Sequence, residues 1–399
     1  MTEVVAEEIY WDPYDQGFVL EPWPLFKRIR EEAPVYYNEK YDFFALSRAE
    51  DVEWALNEPL RLSSARGNIL EIIKSGMELP PGTLIMEDPP IHTLHRNLLK
   101  RIFTPRRIME LEPKIRAYAV ECLDPLVGQD SFDLIDVLGR EMPMKVIGMM
   151  LGVPESDQVD IRDQVDDRLR TKDGGQMEFE DDNPLVTLDA FTDYIDYRIK
   201  TPGDDVMSDL VNTEFEDENG VVRTLTRDEA VMYATVVAGA GNETTGRLIG
   251  WLGDLLDRHP DQRARVVADA SLIPGAVEET LRCEPASVAV ARYATEDLEL
   301  HGEKVPAGSS VMLLLGAANR DPERFADPES FDVGRRGKQM FTLGLGAHFC
   351  LGAALARMEG RIALEEILKR WPTWEVDRDG AKLAETATVR GYEKLPLLV

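Results

Sequence analysis

Residues Phe341 to Gly352 read FTLGLGAHFCLG, a lone cysteine framed by Gly344, Gly346 and Gly352 and followed at once by the helical run LGAALARMEGRIALEEILKRW. Gly344 and Gly346 allow a tight turn and the close approach of a flat ligand, and the amides that open the following helix face the sulfur. A helix N-terminus favours thiolate over thiol. A thiolate held by donors, with one side open to a large planar group, meets the needs of a haem iron for its axial ligand. The competing reading is a small apolar cysteine in a packed turn.

The segment resembles the cysteine-ligand loop of the cytochrome P450 family. That pattern in words is Phe, Gly, any, Gly, any, His or Arg, any, Cys, any, Gly. Gly344, Gly346, His348, Cys350 and Gly352 fall on it, and Leu343 stands where the family usually has Phe. Three further segments fit in the family's order. AGNETT (Ala240 to Thr245) is similar to the oxygen-binding stretch of the family's central helix. EETLR supplies the Glu279 and Arg282 of a Glu-x-x-Arg pair, and NRDPERFADPESFDVGR from Asn319 is its usual companion. One Glu-x-x-Arg is an ordinary i, i+3 helical pair, but four motifs in order and spacing are hard to meet by chance.

The resemblance implies a mainly α fold with smaller β sheets. In it haem b lies between the long central helix and the cysteine loop, with residues 1–399 as one domain whose β-rich lobe is mainly 34–46 and 286–315. It implies Cys350 as the metal ligand. His92, Arg96, Arg292 and His348 become the groups that hold the haem propionates, and Gly344, Gly346 and Gly352 the backbone that lies against the ring. Glu243 and Thr244 become the acid and alcohol that pass protons toward bound dioxygen. The activity implied is monooxygenation of a C–H bond in a hydrophobic molecule, with electrons from an iron-sulfur ferredoxin and its NAD(P)H-dependent reductase.

Composition bounds these expectations. The 399 residues exceed the usual ~100 to 200 per domain, yet no linker-like tract divides them. Hydrophobic residues make up 44 %, enough for a large core, and no apolar run approaches the ~20 residues of a membrane span. The acidic start MTEVVAEEIYWDPYDQG lacks the features of a signal peptide, so a cytoplasmic monomer without a membrane anchor is expected. Cys122, Cys283 and Cys350 offer neither a disulfide framework nor metal-knuckle spacing, and the first two read as structural. A formal net charge of -29 argues against nucleic acid as partner. A local basic patch is still possible from Lys100, Arg101, Arg106 and Arg107 together with Arg335, Arg336 and Lys338. In the family these regions flank the face on which ferredoxin docks; the plainer reading is scattered solvated charge.

Along the chain, Pro22 to Glu32 reads as an amphipathic helix opened by proline and VYYNEKYDFFAL (35–46) as a hairpin. DPPIHTLHRNLLKRIF starts a helix after Pro89 and Pro90 with His92 and Arg96 at i, i+4 on one face, whereas His95 points elsewhere and reads as ordinary. Thr226 with Glu229 is a capping signal for the central helix, whose apolar residues are too continuous for a surface helix. Poor helix formers at Gly239 to Thr245 predict a weakened, widened turn there, although a glycine packed on a neighbouring helix would explain Gly239 and Gly241 equally well.

The residues expected to face the substrate are Val236, Val237, Ala240, Ala286, Ser287, Val288, Ala289 and Val290. They are small and mostly apolar, suggesting room for a sizeable terpenoid, steroid or fatty-acid-like ligand, or an aromatic natural-product intermediate. Lids are expected at about 63–83 and 157–186. Three rival functions remain. A hydrogen-peroxide-driven peroxygenase would replace Glu243 and Thr244 by other groups. A cysteine hydrolase would need His348, at i, i+2, to turn back on Cys350 with a third orienting group. A non-catalytic haem or lipid carrier would need neither proton relay nor docking face.

Overall fold

The computed structural model describes residues 8–15, 21–169, 189–384, 386 and 389–399; residues 170–186 of the second expected lid therefore lie outside the described residues. The VYYNEKYDFFAL segment forms the expected hairpin. Tyr36 and Asn38 point inward and Tyr37 outward, the two-residue alternation of a half-buried strand. The hairpin belongs to a sheet of five strands: β1 (Val35–Asn38), β2 (Phe43–Leu46), β3 (Leu62–Ser63), β4 (Val290–Ala294) and β5 (Ser310–Leu313), in the order β1-β2-β5-β4-β3. Strand β5 runs parallel to β2, with Ser310 opposite Phe43, and antiparallel to β4, with Val311 opposite Arg292. Sequence-distant segments 34–46 and 290–313 are thereby joined in one sheet. A three-stranded sheet of Ser131–Asp133, Glu375–Val376 and Pro396–Leu398 was not foreseen. Its strands are two or three residues long, too short to show a period.

Seven helices place the site: α1 (Trp23–Glu32), α2 (Ala49–Asn57), α3 (Ile91–Lys100), α4 (Pro105–Leu123), α5 (Arg227–Arg258), α6 (Ile273–Cys283) and α7 (Ala353–Arg370). Helix α5 is the 32-residue axis of the larger hydrophobic core. Its start is fixed by the expected capping box: Thr226 accepts from the Glu229 N–H and Glu229 accepts from the Thr226 N–H. Small residues let neighbours close on it. A Cβ at Gly246 would stand 2.4 Å from the Gly139 carbonyl oxygen, and one at Gly241 would stand 2.6 Å from Ile147 Cδ1. A second core lies between α1 and the main sheet, with Trp11 edge-on to Phe26 and Phe43.

Glu279 and Arg282 of α6 form a bidentate pair at 2.8 and 2.9 Å, each side chain only 3 % exposed. The guanidinium also donates to the carbonyls of Asn319, Pro328 and Ser330, and Arg335 adds a second cation on Glu279 at 2.8 Å. A buried carboxylate between two arginines folds the 319–335 segment onto α6. Removing one partner from such a pair typically costs about 3–5 kcal/mol. Arg335 is therefore turned inward, which removes it from the basic patch expected from sequence.

Helix α7 is clamped to α4 by Arg116 and Arg361 against Glu112, Glu365 and Glu366. Two carboxylates on α7, two turns apart, meet opposite fates. Burial acts against the charge on Glu366, but hydrogen bonds from Lys369, Arg370 and Arg116 bring its pKa down to about 2. Glu359 is 1 % exposed, neither of its carboxylate oxygens has a partner among the described residues, and burial pushes it up to about 8. A carboxyl whose folded pKa lies above its ordinary 4.5 costs stability as pH rises between those values, because the unfolded chain ionises first. Glu359→Gln should therefore match the parent near pH 4.5 and exceed it by about 4 kcal/mol near pH 8, with little further gain above that. Urea denaturation across pH 4.5–9 checks this; equal stability at both ends would mean that the carboxyl finds a counter-charge.

Candidate functional site

The loop at Cys350 is fixed from both sides. Gly344 (φ 67°) and Gly346 (φ 60°) adopt the left-handed backbone that glycine tolerates. At Gly346 a side chain is also sterically barred: a Cβ would lie 2.9 Å from the Leu56 carbonyl oxygen and 2.8 Å from Asn57 Oδ1, at the end of α2. The Cys350 N–H donates to Leu343 O at 2.7 Å, and the Phe341 N–H donates to Asn319 Oδ1 at 2.7 Å. Gly352 needs no special φ (−81°), but a Cβ there would meet nothing within 4 Å, so the backbone presents an open face just before α7. This is the cradle a flat ring needs. The Gly352 N–H, Arg96 and Arg357 favour the Cys350 thiolate as the sequence suggests, yet burial is the largest influence and leaves the thiol pKa raised. The helix start alone does not ionise this sulfur. A cation held by the sulfur would, since a coordinating thiol is deprotonated outright.

The i, i+4 pair on α3 converges with the loop and with β4. The His92 and His348 rings lie 4.2 Å apart, centroid to centroid. His92 is 1 % exposed with neither ring nitrogen partnered among the described residues, and His348 Nε2 is likewise unpartnered. Burial, then the nearby Arg292, His92 and Arg96, takes His348 down to about 3; burial and then Arg96 takes His92 down to about 4. Arg292, buried on β4, is lowered to about 10 by the same desolvation. Arg96 donates to the Phe349 carbonyl beside the cysteine. Four basic groups crowded out of water, two of them rings with unmet hydrogen bonds, form a receptor for carboxylates. Together with the open face at Gly352 and the cysteine, they fit the two propionates, ring and iron of haem b.

On α5 the expected widened turn is absent: the helix is unbroken from 227 to 258. Tight packing at Gly241 and Gly246 outweighs low propensity, and the Thr244 hydroxyl donates to the Ala240 carbonyl at 2.7 Å instead of loosening the turn. Ala240 is nonetheless exposed in the middle of this buried helix, with Val236 part-buried and Val237 buried beside it. Glu243 pairs with Arg247 at 2.9 Å, and Arg247 donates to the Tyr392 carbonyl. In the 286–290 stretch Ala286 is buried, and Ser287, Val288, Ala289 and Val290 are part-buried. Val288 and Ala289 line a cavity of about 80 Å³ in the second core, with Trp11, Phe26, Met312 and Val389.

Sequence reading missed one buried contact: His95 is 3 % exposed and its Nδ1 lies 2.9 and 3.0 Å from the two carboxylate oxygens of Glu87. Of the basic patch, Lys100, Arg101, Arg106, Arg107, Arg336 and Lys338 are exposed, with Arg106 paired to Glu110 and Arg107 to Asp209.

A sequence model of the family Cytochrome P450 matches residues 193–389. Among curated proteins, the chain is 37 % identical to the putative cytochrome P450 123 of Mycobacterium tuberculosis, over 98 % of this chain and 97 % of that protein. It is 33 % identical to the cytochrome P450 monooxygenase PikC of Streptomyces venezuelae, over 96 % and 92 %. A solved mutant of P450 EryK in complex with erythromycin B superposes with a TM-score of 0.83 at 32 % identity, covering 97 % of each chain. Fold and relatives define a haem b oxidoreductase, with the cofactor between the central helix and the cysteine loop. More particularly, the chain belongs to the cytochrome P450 family and is a monooxygenase of it. Among the described residues no helix is long and apolar enough to cross a membrane.

Cys350→Ala should abolish the far-red-shifted Soret band of the dithionite-reduced, carbon monoxide-treated protein. Retention of that band would assign the thiolate to another cysteine.

Proposed function

We propose that Cys350 ligates the haem iron, that His92, Arg96, Arg292 and His348 hold the propionates, and that the enzyme hydroxylates a hydrophobic small molecule with electrons from a ferredoxin. The observation that carries this reading is the convergence of four desolvated basic groups on the cysteine loop, with unmet ring nitrogens on both histidines. Bound haem supplies the redox and oxygen chemistry by which one atom of O2 enters a C–H bond. The protein's part is to anchor, to keep the site dry and to deliver protons. Thr244, one turn beyond the exposed Ala240, offers a hydroxyl that can switch from the Ala240 carbonyl to a ligand. Glu243, held by Arg247, is the adjacent proton carrier.

The small side chains at 236, 237, 240 and 286–290 suit a bulky, largely apolar substrate such as a terpenoid, steroid or fatty-acid-like lipid. A natural-product scaffold is in keeping with the relative whose structure holds erythromycin B. Glu243 and Thr244 weigh against the peroxide-driven alternative, since an acid and an alcohol side by side are the equipment of a proton-delivery route. We read the whole chain as one catalytic domain.

Thr244→Ala should keep haem and ligand binding but divert reducing equivalents to hydrogen peroxide, lowering product formed per NAD(P)H consumed by about tenfold. Unchanged coupling would remove Thr244 from the proton route, and full activity on hydrogen peroxide without a reductase would favour the peroxygenase.

The exposed cations Lys100, Arg101, Arg106, Arg336 and Lys338 stand out in an acidic chain and are the proposed docking face for ferredoxin. Reversing Lys100 and Arg101 to Glu should slow reduction by an acidic ferredoxin about tenfold at low salt, with the deficit shrinking as salt screens the field. Stopped-flow rates independent of both charge and salt would place the partner elsewhere.

A further inference from the structure

The cavity of about 80 Å³ in the second core lies across the main sheet from the cluster of His92, Arg96, Arg292 and His348. Ala291 of β4 and Met312, its opposite on β5, both line it. Successive side chains of a strand point to opposite faces, so Arg292 and its opposite Val311 stand on the other side. The cavity is therefore no part of the propionate receptor.

Its wall combines apolar side chains with an acid and an amide. Trp11, Phe26 and Met312, each less than a tenth exposed, form the apolar part. Asn68 and Glu71 come from the 63–83 stretch, which is docked on the sheet where the Ala291 N–H donates to the Asn68 carbonyl at 2.8 Å. The Asn68 Oδ1 is enclosed, and no donor among the described residues reaches it. A ligand N–H brought to that oxygen would remove the cost of leaving it unmet. Glu71 adds a carboxylate, and burial followed by this neighbouring charge pushes the pKa of the Tyr14 phenol up. Arg390 also belongs to the wall, but its guanidinium stacks 4.4 Å over the Trp251 ring and donates to Glu284, so its charge is met away from the cavity.

We propose that this cavity is a second ligand site, separate from the haem, for a small alkylammonium ion: its N–H groups donate to Asn68 Oδ1 and the Glu71 carboxylate, and its alkyl chain lies against Trp11, Phe26 and Met312. A cation is favoured twice, by the charge-assisted bond to the carboxylate and by the aromatic faces around it. Water would satisfy the acceptor but leave the apolar wall and the carboxylate unmatched. Size sets the upper limit. An apolar cavity of about 150 Å³ accepts benzene, so roughly half that volume suits an ion of about five heavy atoms. The site goes beyond the haem chemistry and does not depend on it.

The test titrates the holoenzyme with n-butylammonium chloride at fixed ionic strength, with 1-butanol as the neutral control. Binding is followed by ligand-observed saturation-transfer NMR while the Soret band is recorded. Butylammonium should saturate with a Kd on the order of 1 mM, and butanol should bind about tenfold more weakly. Glu71→Gln should weaken butylammonium about tenfold and leave butanol unchanged. Asn68→Leu should weaken butylammonium to a similar degree, which keeps the test open if Glu71→Gln folds poorly. The Soret band should not move. No saturable binding below about 50 mM, or equal binding to the parent and to both variants, overturns the proposal. A Soret shift to that of nitrogen-ligated haem, tracking the titration, would put the amine on the iron and overturn it as well.

Discussion

Desolvation of charge is the constraint on which this molecule turns. Around one loop it brings together His92, Arg96, Arg292, His348 and Cys350, and for each of them burial is the largest influence on its proton affinity. Burial lowers the affinity of the four bases and raises that of the thiol, so every one of these groups is driven toward its neutral form. A ligand carrying a cationic centre and two carboxylates reverses all of these pressures at once. The site proposed for haem is thus matched to it in its charges as well as in its shape, and haem bound there would offset the cost of burying the bases.

The scaffold applies the opposite solution a short distance away. At Glu279 the buried charge is met within the chain, by Arg282 and Arg335 and by the backbone carbonyls around them. Asn319, whose carbonyl belongs to that network, then accepts the Phe341 N–H on its side chain at the start of the cysteine loop. The satisfied cluster gives the unsatisfied one a fixed frame, since a loop free to relax would let water reach the bases and undo the selectivity of the receptor.

What could be read from the sequence was local. The turn at Gly344 and Gly346, the cap at Thr226 and Glu229, the 35–46 hairpin and the shared face of His92 and Arg96 depend on residues close in the chain, and the structure forms each of them. What could not be read depends on distant partners. Arg335 looked like a surface charge because Glu279 lies 56 residues away. His95 looked ordinary because helix geometry shows only which face it leaves, and Glu87 approaches from before the helix. The unbroken course of α5 through Gly239 to Thr245 is propensity overruled by packing at Gly241 and Gly246. The raised Cys350 pKa is a helix-terminus effect outweighed by crowding that no spacing reveals.

The Arg247 side chain that holds Glu243 is itself tied to the Tyr392 carbonyl, 145 residues further on. A chain emerging from the ribosome in order exposes α5 long before that carbonyl exists. During that interval the Glu243–Arg247 pair is an ordinary surface contact of one helix turn, of little energetic weight. Only the arrival of the late strand turns it into an enclosed group at the edge of the site. Enclosure of the Glu243–Arg247 pair therefore waits on backbone made long after α5, whereas the cluster of His92, Arg96, Arg292 and His348 is complete once the chain has reached residue 350.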